Sequence, residues 1–296
     1  MAEAVLLTGA TGLVGRAVLA DLVAQGVPVQ AVSRRPMPGQ AGVRWLQADL
    51  LDAGDRARLI AGTDAVHMVH CAWEVGHGRF WTAPANALWH AASVDLAERF
   101  LAWGRGRLLV TGTCAEYDAY DTGPWSEDRP LAPATPYGQA KLATLRDIAA
   151  LAPKRLIWAR LFHIYGPGED RRRLIPSLID AIRAGAVAEV RAAGLVRDLA
   201  STRHVACCLT GLLASGAAGA FDLGAGQGIS LGQAGQIVAE AMGRPDLLNL
   251  SHQPGPQESD RMVPALDRLF RLLPIPREDP HQALRAHVQA EAARAQ

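Results

Sequence analysis
Through the first 161 residues, short apolar runs of strand length alternate with longer stretches whose apolar positions recur at helical spacing. The strand-like runs are Ala4–Thr8, Val27–Val32, Val43–Leu46, Ala65–His70, Leu108–Thr111 and Leu156–Leu161. Between them, Val14–Ala24, Arg56–Ala61, Leu88–Leu101 and Tyr137–Ala150 read as helices. Apolar strands separated by helices predict an α/β fold, a doubly wound parallel sheet covered on both faces. Its ligand cleft would lie at the carboxyl ends of the strands. After Gly166 the texture changes. Gly and Pro become frequent, helices are expected over Ile175–Ala184, Arg203–Ala214 and Leu231–Met242, Gly219–Gly228 is turn-rich, and an Ala-rich helix ends the chain. The expected division is residues 1–165 as the sheet domain and 166–296 as a smaller α/β lobe, with room for the chain to cross between them.

Composition narrows the classes. About half of the 296 residues are apolar, enough for a large core in one domain or in two lobes sharing a cleft. The net charge is +1 with no extensive basic cluster, which argues against nucleic acid as a partner. No apolar run approaches membrane-spanning length, and Met1-Ala2-Glu3 leads straight into a strand. Neither a membrane segment nor a signal peptide is therefore expected, and the expected location is the cytoplasm. Cys71, Cys114, Cys207 and Cys208 show no metal-ligand spacing and read as small residues in a reducing compartment, with no metal site.

Two patterns carry chemistry. The first apolar run is followed at once by Gly9-Ala10-Thr11-Gly12-Leu13-Val14-Gly15 and then by a helix. Strand, glycine turn and helix is the context that a dinucleotide fingerprint requires. Gly9 suits the tight turn, Gly12 lets backbone approach a pyrophosphate, and Gly15 lets helix pack on strand. The second pattern is Tyr137 and Lys141. The chain has 30 basic residues, of which only Lys141 and Lys154 are lysines, and four tyrosines. Thr135 and Pro136 read as N-cap and first helical position, so Tyr137 and Lys141 share one face of the helix that follows. An ammonium there would lower a phenol's pKa from about 10 towards neutrality. A surface helix pair is the bland alternative.

With these two patterns, three further segments complete a resemblance. They are Val69-His70-Cys71-Ala72-Trp73, Thr111-Gly112-Thr113-Cys114-Ala115-Glu116-Tyr117 and Arg160-Leu161-Phe162-His163-Ile164-Tyr165-Gly166-Pro167-Gly168. In this order, and fading after about Pro264, the chain resembles the extended short-chain dehydrogenase/reductases of the nucleotide-sugar epimerase/dehydratase family. The resemblance implies a Rossmann domain followed by a nucleotide-sugar lobe. It implies that Thr113 holds the reacting oxygen, that Tyr137 transfers its proton, and that Lys141 binds the nicotinamide ribose while lowering the Tyr137 pKa. It places the cofactor against Gly9, Thr11, Gly12, Leu13, Val14, Gly15, Ser33, Asp49, Leu50, Cys71, Ala72, Thr111, Leu161 and His163, besides Tyr137 and Lys141. Candidate substrate contacts are Trp73, Asn86, Thr113, Cys114, Glu116, Arg173 and Arg197. The family commonly dimerises through the helices read here as Leu88–Leu101 and Tyr137–Ala150, so a homodimer is expected.

Details select among the family's reactions. The second strand ends in Ser33-Arg34-Arg35, two arginines and no carboxylate, which favours NADP(H) over NAD(H) because arginine accommodates a 2′-phosphate. A solvated charge pair is the alternative, and helix capping competes for Asp49. The 4,6-dehydratases carry Asp then Glu after the Thr, as separate acid and base. Here those positions are Cys114 and Ala115, with Glu116 displaced by one place, which on an extended segment would turn it to another face. The expectation is therefore a reductase of a nucleotide-linked 4-keto-6-deoxyhexose. An NAD-retaining 4-epimerase is the alternative, and a non-catalytic dinucleotide sensor a second. His163 for Asn, Asp118 for Gly and His204 for Asp depart from the family pattern. The run Arg171-Arg172-Arg173 suits a diphosphate or a helix start equally.

Overall fold
The apolar runs of the first half pair with one another in the computed structural model of the chain, which describes residues 3–104, 106–121, 123–252 and 259–294. In chain order come β1 (Val5–Thr8), α1 (Leu13–Ala24), β2 (Val29–Ser33), β3 (Val43–Gln47), α2 (Ala53–Gly62), β4 (His67–His70), α3 (Ala85–Trp103) and β5 (Leu108–Thr113). They are followed by α4 (Pro136–Leu151), β6 (Leu156–Leu161), β7 (His163–Tyr165), α5 (Leu174–Arg183), β8 (Ala188–Val190), β9 (Val196–Ser201), α6 (Thr202–Ala214) and β10 (Gly219–Leu223). The chain ends with β11 (Gly228–Ser230), α7 (Leu231–Ala241), β12 (Leu248–Leu250), β13 (Arg261–Met262), α8 (Asp267–Leu272) and α9 (Pro280–Ala293).

Seven strands form the main sheet in the order β10-β6-β5-β4-β1-β2-β3. The pairings of β1 with β2 and β4, of β2 with β3, and of β5 with β4 and β6 are all parallel. Strands β1 and β2 are buried throughout, as a sheet covered on both faces requires. From β1 the chain winds outward to β3 and then returns to the other side of β1 as β4. That reversal between β1 and β4 is where an open α/β sheet leaves a crevice for a ligand. Leu6, Met68, Val110 and Trp158 meet Leu96, Phe100 and Ile148 in the principal core.

Two glycines make the first turn possible. Gly9 has φ +68°, and a side chain there would lie 2.7 Å from the backbone N of Ala72. A Cβ on Gly15 would lie 2.0 Å from the Gly9 carbonyl oxygen. Only glycine lets α1 start this close to the end of β1.

Two compact units are present. The first comprises Met1–Asp118, Pro130–Leu161 and Ala206–Phe221, and the second Ala119–Arg129, Phe162–Val205 and Asp222–Gln296. The division is thus not a single cut near residue 165. Residues 206–221 belong with the first unit because Arg107 Nη1 donates to the Leu212 and Leu213 carbonyls at 3.4 and 3.0 Å. The Thr210 hydroxyl also donates to Asp21 at 2.6 Å. Within the stretch read as turn-rich, β10 joins the main sheet beside β6; Gly219 disguises a strand whose Phe221 and Leu223 are buried. In the second unit β9 is flanked by β11 and β13 and also pairs with β7. Ile179, Leu199, Ile237, Val238 and Leu284 close its own core. No helix among the described residues is long and apolar enough to cross a membrane.

Candidate active site
Parallel register brings the chemistry-bearing positions to the same end of adjacent strands. Thr8 aligns with His70 across β1 and β4, and Thr113 with Leu161 across β5 and β6. Beyond Thr113 the chain tightens into a 3₁₀ turn, Cys114–Glu116, closed by a capping box. The Ala115 N–H donates to the Thr113 hydroxyl at 3.2 Å, and the Thr113 N–H donates to Glu116 Oε1 at 2.8 Å. This corrects the expectation of an extended segment and of Glu116 as a substrate contact. Glu116 is fully buried. Its carboxylate accepts from Trp158 Nε1 at 3.1 and 3.0 Å and from Arg160 Nε at 2.8 Å. Burial raises its pKa, opposed chiefly by Arg160. Because its neighbours are donors, the anion is the form that satisfies them.

Tyr137 and Lys141 arrive on α4. Thr135 caps the helix by accepting from the Gly138 N–H at 3.1 Å, with Pro136 in the first turn, as the sequence led us to expect. A Cβ on Gly138 would lie 2.3 Å from the Ala115 carbonyl oxygen, so glycine lets α4 seat directly on the turn after β5. Tyr137 is hydrogen-bonded by its side chain to that of Thr113. Lys141 is almost fully buried and donates to the Thr111 carbonyl at 2.9 Å. Its Nζ lies 3.9 Å from the centroid of the Trp73 ring.

The electrostatics differ from the sequence reading. Burial pushes the Tyr137 phenol well above its ordinary range, and the Thr113 hydrogen bond opposes this. Lys141 is itself pushed down to about 7, first by burial, with Glu116 and Cys71 acting the other way. Desolvation disfavours the charged form of both groups. Aromatic rings seal Tyr137 edge-on: Phe80 at 4.8 Å, Trp81 at 5.7 Å and Trp73 at 6.3 Å between centroids. The sequence reading missed Phe80 and Trp81; their signal was four aromatic residues between positions 73 and 89 of an aromatic-poor chain. Asn86, expected as a substrate contact, is buried and bonded instead to Trp73 and to the loop before α3.

The glycine turn fits a dinucleotide. Gly12 caps α1 without a side-chain hydrogen bond, so the first-turn N–H groups that follow, including those of Leu13 and Val14, have no side-chain cap and suit a diphosphate. A Cβ on Gly12 would approach only the Gly9 oxygen, at 3.2 Å, leaving the side towards an approaching ligand clear. Thr11 is exposed beside it. Past β2, Arg34 and Arg35 are exposed, and Ser33, expected to face the cofactor, accepts from the Arg35 N–H at 3.2 Å. Asp49 Oδ1 accepts from the Leu51 N–H at 3.0 Å, a local turn, and Leu50 is buried. Ala72 and Cys71 abut Gly9.

Within the second unit, His163, Arg173 and Arg197 come together. Burial, then Arg197 and Arg173, press the His163 imidazole down to about 3, and its Nδ1 is buried with no hydrogen-bond partner among the described residues. Arg173 pairs with Glu169 at 2.9 Å, while Arg197 is buried and donates to the Val196 and Ser259 carbonyls. Arg171 and Arg172 are held by Asp180 and Asp170. Those two read as a charged helix start.

Residues 5–224 match the model of the NAD dependent epimerase/dehydratase family, and the chain belongs to that family. It is an NAD(P)-dependent short-chain dehydrogenase/reductase, as the motif order implied. Among curated relatives it is similar to a dTDP-glucose 4,6-dehydratase of an Actinoplanes species, 26% identical over 267 residues, covering 81% of this chain and 82% of that protein. It is also similar to the dTDP-6-deoxy-L-talose 4-dehydrogenase (NAD(P)(+)) of Kitasatospora kifunensis, 30% identical over 195 residues, covering 61% and 59%. Among solved structures, MoeE5 in complex with UDP-glucuronic acid and NAD matches with a TM-score of 0.82 at 25% identity, covering 99% of both chains.

His70, quoted in a motif but given no role, proves to be a buried part of the site. Its Nδ1 is 2.7 Å from the Thr8 hydroxyl and its Nε2 2.9 Å from that of Ser93. Burial, then Lys141, pushes it from 6.5 to about 3. Between these pH values the unfolded chain holds a proton that the native fold refuses. Stability is therefore complete above pH 6.5 and falls as pH drops towards 3, by up to about 1.4 kcal/mol per pH unit for one proton. His70→Asn, which keeps polar groups but does not titrate, should flatten this dependence in urea titrations from pH 6.5 to 4.5. Equal slopes in the two proteins would refute a neutral buried His70.

Proposed function
We propose that this enzyme reduces a nucleotide-linked 4-keto-6-deoxyhexose at C4 with NADP(H). The observation that carries this reading is Tyr137, a protonated phenol at the strand ends, beside a carboxylate that is already enclosed. Tyr137 is bonded to Thr113, the two residues after Thr113 are Cys114 and Ala115, and the Glu116 carboxylate is locked away with Arg160 and Trp158. Elimination of water needs a second acid–base pair; reduction of a carbonyl does not. The phenol, held protonated by burial, is set to give a proton rather than take one. The Kitasatospora relative is named for the same chemistry read in reverse, oxidation at C4 of a dTDP-6-deoxyhexose.

In this reading the nicotinamide supplies the hydride. Tyr137 gives its proton to the substrate oxygen while Thr113 donates a hydrogen bond to it. Lys141 holds the nicotinamide ribose, and Gly12 with the α1 N-terminus holds the pyrophosphate.

Tyr137→Phe should lower turnover by at least about 100-fold while cofactor still binds, because it deletes only the proton donor. The assay is loss of NADPH absorbance with a panel of 4-keto nucleotide sugars. Near-normal rates in the variant would sink the mechanism. Cofactor bound without turnover on any substrate would support a sensor instead.

Arg34 and Arg35 are the proposed readers of the 2′-phosphate, being exposed and free of ion pairs among the described residues. Wild type should prefer NADPH over NADH by about tenfold or more, one decade of affinity. Arg34→Ala with Arg35→Ala should erase most of that preference and leave NADH kinetics little changed. Equal use of NADH by the wild type would make both arginines solvated charges and favour an NAD-retaining epimerase.

For assembly we propose a homodimer through α3 and α4. Leu88, Trp103 and Leu151 on these helices are exposed, and His90 Nε2 ties α3 to Asp147 of α4 at 2.8 Å. Light scattering at micromolar concentration should give twice the chain mass, and a monomer would overturn the proposal.

A further inference from the structure
The buried side chain of Asn86 is committed to two neighbours. Its Oδ1 accepts from Trp73 Nε1 at 3.0 Å, and its Nδ2 donates to the Phe80 carbonyl at 2.7 Å. Only this orientation of the amide satisfies both, since a flip would set donor against donor and oxygen against oxygen. Asn86 is 3% exposed and gives the half-buried Trp73 indole its acceptor. The face of the Trp73 ring, in turn, lies 3.9 Å from Lys141 Nζ. A lysine ammonium is a compact charge on a flexible stem with three rotatable donors. The Thr111 carbonyl takes one of them at 2.9 Å, and the indole face holds the charge without consuming another.

We infer that Asn86 is a positioning residue acting through Trp73, fixing the indole against which Lys141 is held and so aiming the remaining donors of Lys141. The inference rests on the reading of Lys141 as the ribose-binding residue. A fixed ammonium loses little freedom when a ribose diol binds, whereas a loose one must be ordered at the cost of affinity. The relay therefore acts on cofactor affinity before it acts on chemistry.

The composition supplies a direct test. Lys141 and Lys154 are the only lysines, so 13C-lysine labelling gives two sets of side-chain signals, and Lys154→Arg identifies the one from Lys141. In the free enzyme the Lys141 ε-protons should resonate upfield because they lie near the Trp73 ring face. Asn86→Leu, similar in size but without polar groups, should move them back towards the position of an exposed lysine. The same variant should weaken NADPH binding, measured by calorimetry, by about tenfold, one decade of affinity. In a Trp73→Leu background it should weaken binding no further. Should Asn86→Leu not fold, Trp73→Phe cuts the same hydrogen bond from the other end and should show the same loss of affinity.

An unchanged upfield shift in Asn86→Leu, or affinity losses that add in the double variant, would overturn the relay. Wild-type affinity in Trp73→Phe would do the same. Lys141→Met separates this from failure of the underlying assignment. If Lys141→Met binds NADPH as the wild type does, the ribose role of Lys141 is wrong, whatever the ring-current shift shows. If Lys141→Met binds weakly while the Asn86 variants bind normally, only the relay fails.

Discussion

The site depends on one buried carboxylate. Glu116 has no solvent contact, yet it accepts from the Thr113 backbone, the Trp158 indole and the Arg160 guanidinium. These belong to the end of β5, the turn after it, and β6. Removing such an acceptor would leave a nearly buried guanidinium and two other donors unsatisfied, at a cost of several kcal/mol. A Cβ on Gly112 would lie 2.2 Å from Trp158 Nε1 and 2.6 Å from Glu116 Oε1, so even the glycine before Thr113 is required by this cluster. The Thr113 hydroxyl is held by the same turn, and the bond between Thr113 and Tyr137 inherits that rigidity.

Most of the sheet was legible because its signals are local. Leu156–Leu161 was read with the observed bounds, and the other five expected strands of the main sheet differ from those observed by a residue or two at their ends. Thr135-Pro136 announces the start of α4 from within four residues of sequence. The glycines of the first turn are legible for the same reason: their contacts lie within the turn itself, apart from the approach of Gly9 to the end of β4.

What was not legible depends on distant partners. Glu116 looks like a displaced catalytic acid until Trp158 and Arg160, more than forty residues away, are seen to enclose it. Asn86 shows nothing in sequence of its bond to Trp73. Residues 206–221 leave the second half of the chain because Asp21 and Arg107 claim them. Gly219, which by composition signals a turn, opens a strand because neighbouring Phe221 and Leu223 find buried positions; tertiary packing outweighs a local preference. Arg34 and Arg35 were legible as residues, but their purpose is a property of a ligand and not of the fold.

Tyr137 and Lys141 show how strongly burial weighs on groups that proximity in sequence brings together. Four residues apart on a helix places the two groups on one face, but each responds first to the loss of water. Burial raises the phenol and lowers the ammonium, so at neutral pH the phenol is protonated and the lysine stands near its midpoint. A lysine at its midpoint is sensitive to its immediate contacts. The Thr111 carbonyl and the Trp73 face both favour the cation, while Lys141 as a cation helps to keep His70 neutral. Aromatic walls and a backbone carbonyl thus add to what the buried Glu116 carboxylate does for the cation. Together they favour a positive charge at the strand ends, while burial keeps the proton on Tyr137 beside the Thr113 hydroxyl.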